Sequence, residues 1–181
     1  MKGCRALSKN EVDTIMLKLD PKGRLLALTG LYFGTRISEA LELNFSDVSG
    51  SRLALKSKKG SDNQTFDITL RYKQAVEAVK AQYQSKGWTV NADTALFLSQ
   101  SGVRMKARAA SYIVTNAARA AGIEGKVNTH SFRKSFVTSI YELSNFDIAK
   151  TKQYSRHKNL ANLDYYISTT AGTELVNQLN F

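Results

Sequence analysis

The sequence predicts an α+β domain, mainly α-helical, with one small antiparallel β-hairpin at an edge. Three observations lead there. Apolar residues recur at helical spacing through most of the chain, capping residues and glycines punctuate those runs, and strand-like alternation is confined to Arg52 to Leu70. A length of 181 residues with 43% hydrophobic content suits one compact domain with a short tail.

Ser8-x-x-Glu11 is a capping box, in which each side chain satisfies a free amide of the other's end of the first turn, and the helix it opens carries Val12, Ile15, Met16 and Leu19. Asp20-Pro21 stops that helix. Pro21 is tolerated in a first turn, so it starts a second helix through Leu25, Leu26, Leu28, Leu31 and Tyr32 that ends near Gly34 and is apolar enough to be buried. A short helix follows at Arg36, with Ile37, Ala40 and Leu41 inward and Arg36 off that stripe, beside the turn. Taken alone, Arg36 favours a structural role, pairing with Glu39 or capping a neighbour.

Between Arg52 and Leu70 the period changes to two. Leu53 and Leu55 alternate with polar neighbours, Lys59-Gly60-Ser61-Asp62-Asn63 supplies turn residues, and Phe66, Ile68 and Leu70 alternate again. The tip carries Lys56, Lys58 and Lys59, which read alone are charges that discourage strand pairing. Tyr72, Ala75, Val76, Val79 and Tyr83 then mark a helix closed by Ser85-Lys86-Gly87, and Ala95 to Leu98 form a short strand or connector. The alanine-rich run from Lys106 to Ala121 predicts a helix with Tyr112, Ile113 and Ala117 inward. Lys106, Arg108 and Arg119 lie along it as phosphate contacts or as a solvated face.

Asn128 or Thr129 caps the next helix, with His130 in its first turn and Arg133 three residues on, on the same face, while Phe132, Phe136, Val137 and Ile140 face the core. Phe146 to Arg156 and Leu160 to Ile167 read as two further helices with His157 at their junction. Tyr165 and Tyr166 are adjacent on the second and so point about 100° apart. Leu175, Val176, Leu179 and Phe181 form a short amphipathic tail.

Lys and Arg outnumber Asp and Glu by 26 to 15, a formal charge of +11, which suits a polyanionic partner, above all nucleic acid. The charges are scattered rather than gathered on one amphipathic stretch, which argues against a membrane surface. Cys4 is the single cysteine, so no intrachain disulfide and no cysteine-rich metal site can form. With no signal-like segment and no run of about 18 apolar residues, a reducing cytoplasm is the expected location.

Gly34-Thr35-Arg36-Ile37-Ser38-Glu39, then His130-x-x-Arg133, then His157 followed nine residues later by Tyr166, resembles the phage-integrase or tyrosine recombinase family in order and spacing. The resemblance runs from about Leu7 to Ile167. It implies an integrase-type catalytic domain encoded by a prokaryote, a phage or a mobile element. Such a domain cleaves and rejoins double-stranded DNA through a 3′-phosphotyrosine, with neither metal, ATP nor any other cofactor and with no small-molecule substrate. It further implies that Arg36 and Arg133 bind the scissile phosphate, that Lys58, with Lys59 close behind, protonates the leaving oxygen, that His130 and His157 assist, and that Tyr166 is the nucleophile. Enzymes with the same chemistry, type IB topoisomerases and telomere resolvases, are the alternative reading, and a DNA-binding module with an idle site is another.

The chain departs from the family pattern in four places. Ser155-Arg156-His157 stands where Leu-Gly-His is frequent, Lys134 where a histidine often follows the arginine, and Thr69-Leu70 where Pro-Leu usually ends the hairpin. Arg156 replaces a glycine in a loop whose backbone angles an arginine adopts only at a cost. Only six residues precede Leu7, so the expectation is a catalytic domain alone. Residues 1–170 would form it, and residues 171–181 a tail exchanged between protomers assembled on DNA.

Overall fold

The computed structural model describes residues 3–55, 63–156 and 163. Helix α1 (Lys9–Leu17) starts at Ser8 with the predicted capping box complete: Ser8 Oγ accepts from the Glu11 amide at 3.3 Å and Glu11 Oε2 from the Ser8 amide at 2.9 Å. Helix α2 (Pro21–Phe33) begins on Asp20, whose side chain accepts from the Gly23 amide at 2.8 Å, with Pro21 in the first turn. Leu25, Leu26, Ala27, Leu28, Thr29, Gly30 and Phe33 of α2 are all buried, and most of the other described helices pack around it.

Strands β1 (Arg52–Leu55) and β2 (Gln64–Asp67) pair antiparallel, with Leu53 opposite Phe66. Burial alternates along β1, so Leu53 and Leu55 reach the core. The strand is shorter than its sequence pattern suggests. Thr69 caps helix α4 (Leu70–Gln84), so Leu70 leads a helix and stands exposed instead of ending a strand. In α4 the predicted stripe holds: Tyr72, Val76, Val79 and Tyr83 are buried. The segment from Ala95 to Leu98 is a connector, joined by single bridges to Asn44 and Arg104, with Leu96 and Phe97 fully buried. Tyr83 secures it, accepting from the Leu98 amide at 2.8 Å and donating to the Leu96 carbonyl at 3.1 Å.

Helix α5 (Ala107–Ala120) buries Ala110, Val114, Ala117 and Ala118, whereas Tyr112, predicted inward, is 68% exposed. Small residues on the inner stripe let α5 lie close to the core, and the bulky phenol is left on the outer side. Lys106, Arg108 and Arg119 are solvated. Helix α6 (Thr129–Leu143) crosses α2, and α7 (Ile148–Ser155) packs on α6. Helix α7 begins later than its apolar pattern implies, because Asn145 and Phe146 take left-handed angles and Asp147 supplies the cap.

Two glycines allow the α2–α6 crossing. A Cβ on Gly30 would lie 2.8 Å from Phe132 Cβ, so the two backbones meet here without side chains between them. At Gly34, the C-cap of α2, φ is 55° and a Cβ would lie 2.4 Å from the Phe136 ring. The turn into Arg36 therefore needs glycine for both its angles and its space. Phe136 also meets Phe66 of β2, ring to ring at 6.4 Å, which anchors the hairpin's root beside the same turn. Lys56, Lys58 and Lys59 lie outside the described residues, as does the tail.

Gly34→Ala is expected to destabilise the fold by about 2–4 kcal/mol, the sum of left-handed strain and overpacking against Phe136. Urea denaturation measures it; a loss below about 0.5 kcal/mol would show that the turn relaxes freely.

Candidate active site

The left-handed turn at Gly34 ends α2 and throws the chain outward, so that Arg36 becomes the N-cap of α3 (Ile37–Ala40). Glu39, one turn on, folds back. Its Oε2 accepts from the Arg36 amide at 2.7 Å, and its Oε1 accepts from Arg36 Nη1 at 3.2 Å. The Arg36 side chain keeps 30% of its surface exposed, while Glu39 is buried. The structural pairing open in the sequence thus exists, and it leaves the guanidinium at the surface of the turn.

Helix α6 supplies the second group. Asn128 caps it, its Oδ1 accepting from the His130 amide at 2.9 Å, which sets His130 in the first turn and Arg133 one turn further in. His130 is exposed overall, whereas Arg133 is 1% exposed. Arg133 donates through Nη1 to the Gly34 carbonyl and through Nη2 to the Ser155 carbonyl at 3.1 Å. One buried guanidinium therefore joins the end of α2 to the end of α7.

The third group is at the end of α7, where Arg156 is the C-cap with φ 57° and ψ 32°. The angles are those of the left-handed cap that a glycine would adopt freely, and the chain keeps them with an arginine. The side chain turns inward, is 1% exposed, and donates through Nη2 to Glu39 Oε2 at 2.8 Å. Lys134 is buried beside Arg133.

The site is strongly electropositive. Burial alone would raise the Glu39 carboxyl, but the Arg36 amide, the Arg156 guanidinium and the charge of Arg133 outweigh it and hold the group below the ordinary carboxylate value. Partial desolvation pushes the His130 imidazole below its ordinary value, and Arg133, Lys134 and Arg36 push the same way. Both effects favour the neutral imidazole. With arginines contributed by three separate segments beside the positive end of α6, the arrangement is suited to an oxyanion.

Of the residues singled out in the sequence, Arg36, His130 and Arg133 come together. Lys58, His157 and Tyr166 lie outside the described residues, as does Tyr165. The sequence reading had Glu39 as a partner of Arg36 but missed Arg156 as the second guanidinium on that carboxylate. For Arg156 a signal was there: a charged residue at a position that favours glycine needs its side chain to justify the backbone. Among the described residues no group of three or more His, Cys, Asp or Glu could hold a metal ion. No helix there is long and apolar enough to cross a membrane. A cleft of about 900 Å³ with Lys18, Lys22 and Lys86 on its walls lies between the α1–α2 turn and α5, and contains none of the residues above.

The model of the phage integrase family matches residues 5–172. Among curated relatives, the tyrosine recombinase XerD of Mycobacterium leprae is 30% identical over 142 residues, 76% of this chain and 45% of that protein. The chain thus spans about half the length of such relatives. Among solved structures, the XerA recombinase superposes with a TM-score of 0.75 at 22% identity, covering 96% of this chain and 63% of that one. The XerH site-specific recombinase bound to a palindromic difH substrate, a post-cleavage complex, superposes with a TM-score of 0.71 at 20% identity, covering 92% and 50%. Both likenesses concern the fold.

The depressed pKa of His130 gives a pH dependence with a definite sign. The unfolded chain takes up this proton first, near pH 6.5, so the stability tied to the neutral imidazole is whole above that pH and is lost as pH falls below it. NMR titration of the free protein is expected to place the His130 midpoint below about 6.5 and to raise it when duplex DNA is added. A midpoint above that value without DNA would contradict the electrostatics described.

Proposed function

The chain belongs to the phage integrase family, and from that premise we propose that it is the catalytic domain of a site-specific tyrosine recombinase acting on double-stranded DNA. The observation that carries the reading is the meeting of Arg36 and Arg133, two boxes remote in sequence, around Glu39 and the start of α6.

Attack on a phosphodiester builds negative charge on the non-bridging oxygens. Guanidiniums bind such oxygens and remain charged throughout, so Arg36 and Arg133 stabilise that charge as it grows. Tyr166 Oη forms a bond to phosphorus as the bond to the 5′ oxygen breaks. Its proton leaves by way of His130 or His157, and the surroundings of His130 favour the neutral, proton-accepting form. Lys58 delivers a proton to the departing 5′ oxygen. The resulting 3′-phosphotyrosine keeps the ester linkage, so a 5′ hydroxyl can reverse the step and rejoin the strand with no outside energy source. This scheme gives a metal no task. Self-association on DNA, with residues 171–181 exchanged between neighbouring molecules, would align two duplexes for exchange.

The test uses the full chain and a pool of nicked duplexes randomised across the cleavage position, with SDS-stable protein–DNA adducts isolated and their DNA sequenced. The wild type is expected to form an adduct carrying its phosphate on Tyr166. Tyr166→Phe abolishes it without loss of DNA binding, Arg133→Ala slows cleavage by about 10²–10³-fold, and EDTA changes nothing. A phosphotyrosine at Tyr165 or Tyr154, or cleavage stopped by chelation, would refute the mechanism. An adduct that relaxes supercoils without ever joining two duplexes would favour topoisomerase chemistry.

A further inference from the structure

Arg156 occupies a position that is costly three times over. It holds a left-handed backbone, φ 57° and ψ 32°, nearly the same angles as Gly34 at the end of α2, φ 55° and ψ 29°. Its charged side chain is 1% exposed. Its Nε and Nη1 make no hydrogen bond among the described residues, leaving buried donors unsatisfied. A glycine would remove all three penalties, so the arginine is there for something other than stability.

What it touches shows what that is. Nη2 bonds Glu39 Oε2 at 2.8 Å, the same oxygen that receives the Arg36 amide at 2.7 Å. The other oxygen of that carboxylate receives Arg36 Nη1 at 3.2 Å. The plane of the carboxylate therefore sets the direction of the Arg36 guanidinium, and Arg156 pins that plane from the far side. Next to it in the chain, the Ser155 carbonyl receives Arg133. The end of α7 is thus clasped to both arginines that the mechanism uses, by its main chain to one and by its side chain, through Glu39, to the other.

We propose that Arg156 is a positioning residue of the cleavage site, which aims Arg36 through the Glu39 carboxylate and holds the end of α7 in register with it. The proposal rests on the recombinase reading. It differs from a packing role in its consequences, because loss of Arg156 should relax backbone strain while misdirecting Arg36. Glu39 would retain Arg36 and the charge of Arg133 but lose its second guanidinium contact. Among the described residues, Arg36, Arg133 and Arg156 act on this carboxyl from the ends of α3 and α7 and from α6, and His130 and Lys134 stand on the α6 side. With one of the three guanidiniums gone, the carboxyl takes up a proton at a higher pH.

The experiment compares wild type, Arg156→Gly and Arg156→Lys as full chains on a nicked duplex selected by adduct formation. Arg156→Gly is expected to cleave at saturating DNA on the order of 10- to 100-fold more slowly. Its duplex affinity should stay within about twofold, and its thermal midpoint within about 3 °C, of the wild type. The acid limb of its rate profile should move to higher pH, and Arg156→Lys, which can reach the same oxygen with one nitrogen, should recover most of the rate. Wild-type cleavage by Arg156→Gly would overturn the proposal. So would cleavage, affinity and thermal midpoint falling together, which marks a structural latch. If the wild type forms no adduct on any duplex, the recombinase reading fails by itself. The Glu39 carboxyl ¹³C titration of the free proteins still decides on Arg156: a midpoint higher in Arg156→Gly supports its hold on Glu39, and an unchanged midpoint refutes it.

Discussion

Glu39 allows like charges to share a small buried volume. It bonds Arg36 through amide and guanidinium and Arg156 through Nη2, and its carboxyl lies within the field of Arg133. Guanidiniums repel one another strongly where water is scarce, so without a carboxylate among them they would be driven apart or outward. The excess positive charge that remains is what a phosphodiester would neutralise. A site built this way is electrostatically incomplete by design, with ligand affinity gained at the expense of the free protein's stability.

The carboxylate can serve that role only because α2 and α6 approach so closely. Gly30 lets the helices touch at Phe132, and Gly34 turns the chain where Phe136 leaves no room for a side chain. That contact brings the Gly34 carbonyl to Arg133, and Arg133 in turn reaches the end of α7. Ser135 of α6 also binds the amide of Leu7 at 2.8 Å, so the segment ahead of α1 is tied to the same helix. The site thus depends on backbone geometry at two glycines as much as on its charged side chains.

Much of this was legible in the sequence, and the misses have physical causes. Capping residues identified α1 and α6, and Pro21 the start of α2, because such signals act locally. Ser8 and Asn128, the latter read as one of two candidates, each bond an amide within three residues, and Asp20, read only as a stop, proves to cap α2 in the same way. The arginine and histidine boxes were legible as residue types at set spacings. Tyr112 was misplaced because helical period alone cannot say which of two stripes on an alanine-rich helix meets the core; here the narrower stripe wins. Leu70 was misplaced because alternation continued by chance past the Thr69 cap. The left-handed position of Arg156 was a signal, but its partner could not be read, since the bond to Glu39 spans most of the chain and no local pattern encodes it.

Glu39→Gln tests the account most directly, since it keeps the shape of the side chain and removes its charge. Urea denaturation at pH 7 should show a loss of about 3–5 kcal/mol, the usual consequence of leaving buried charges without their partner. Stability within about 0.5 kcal/mol of the wild type would mean that the arginines do not need the carboxylate, and the central claim would fall.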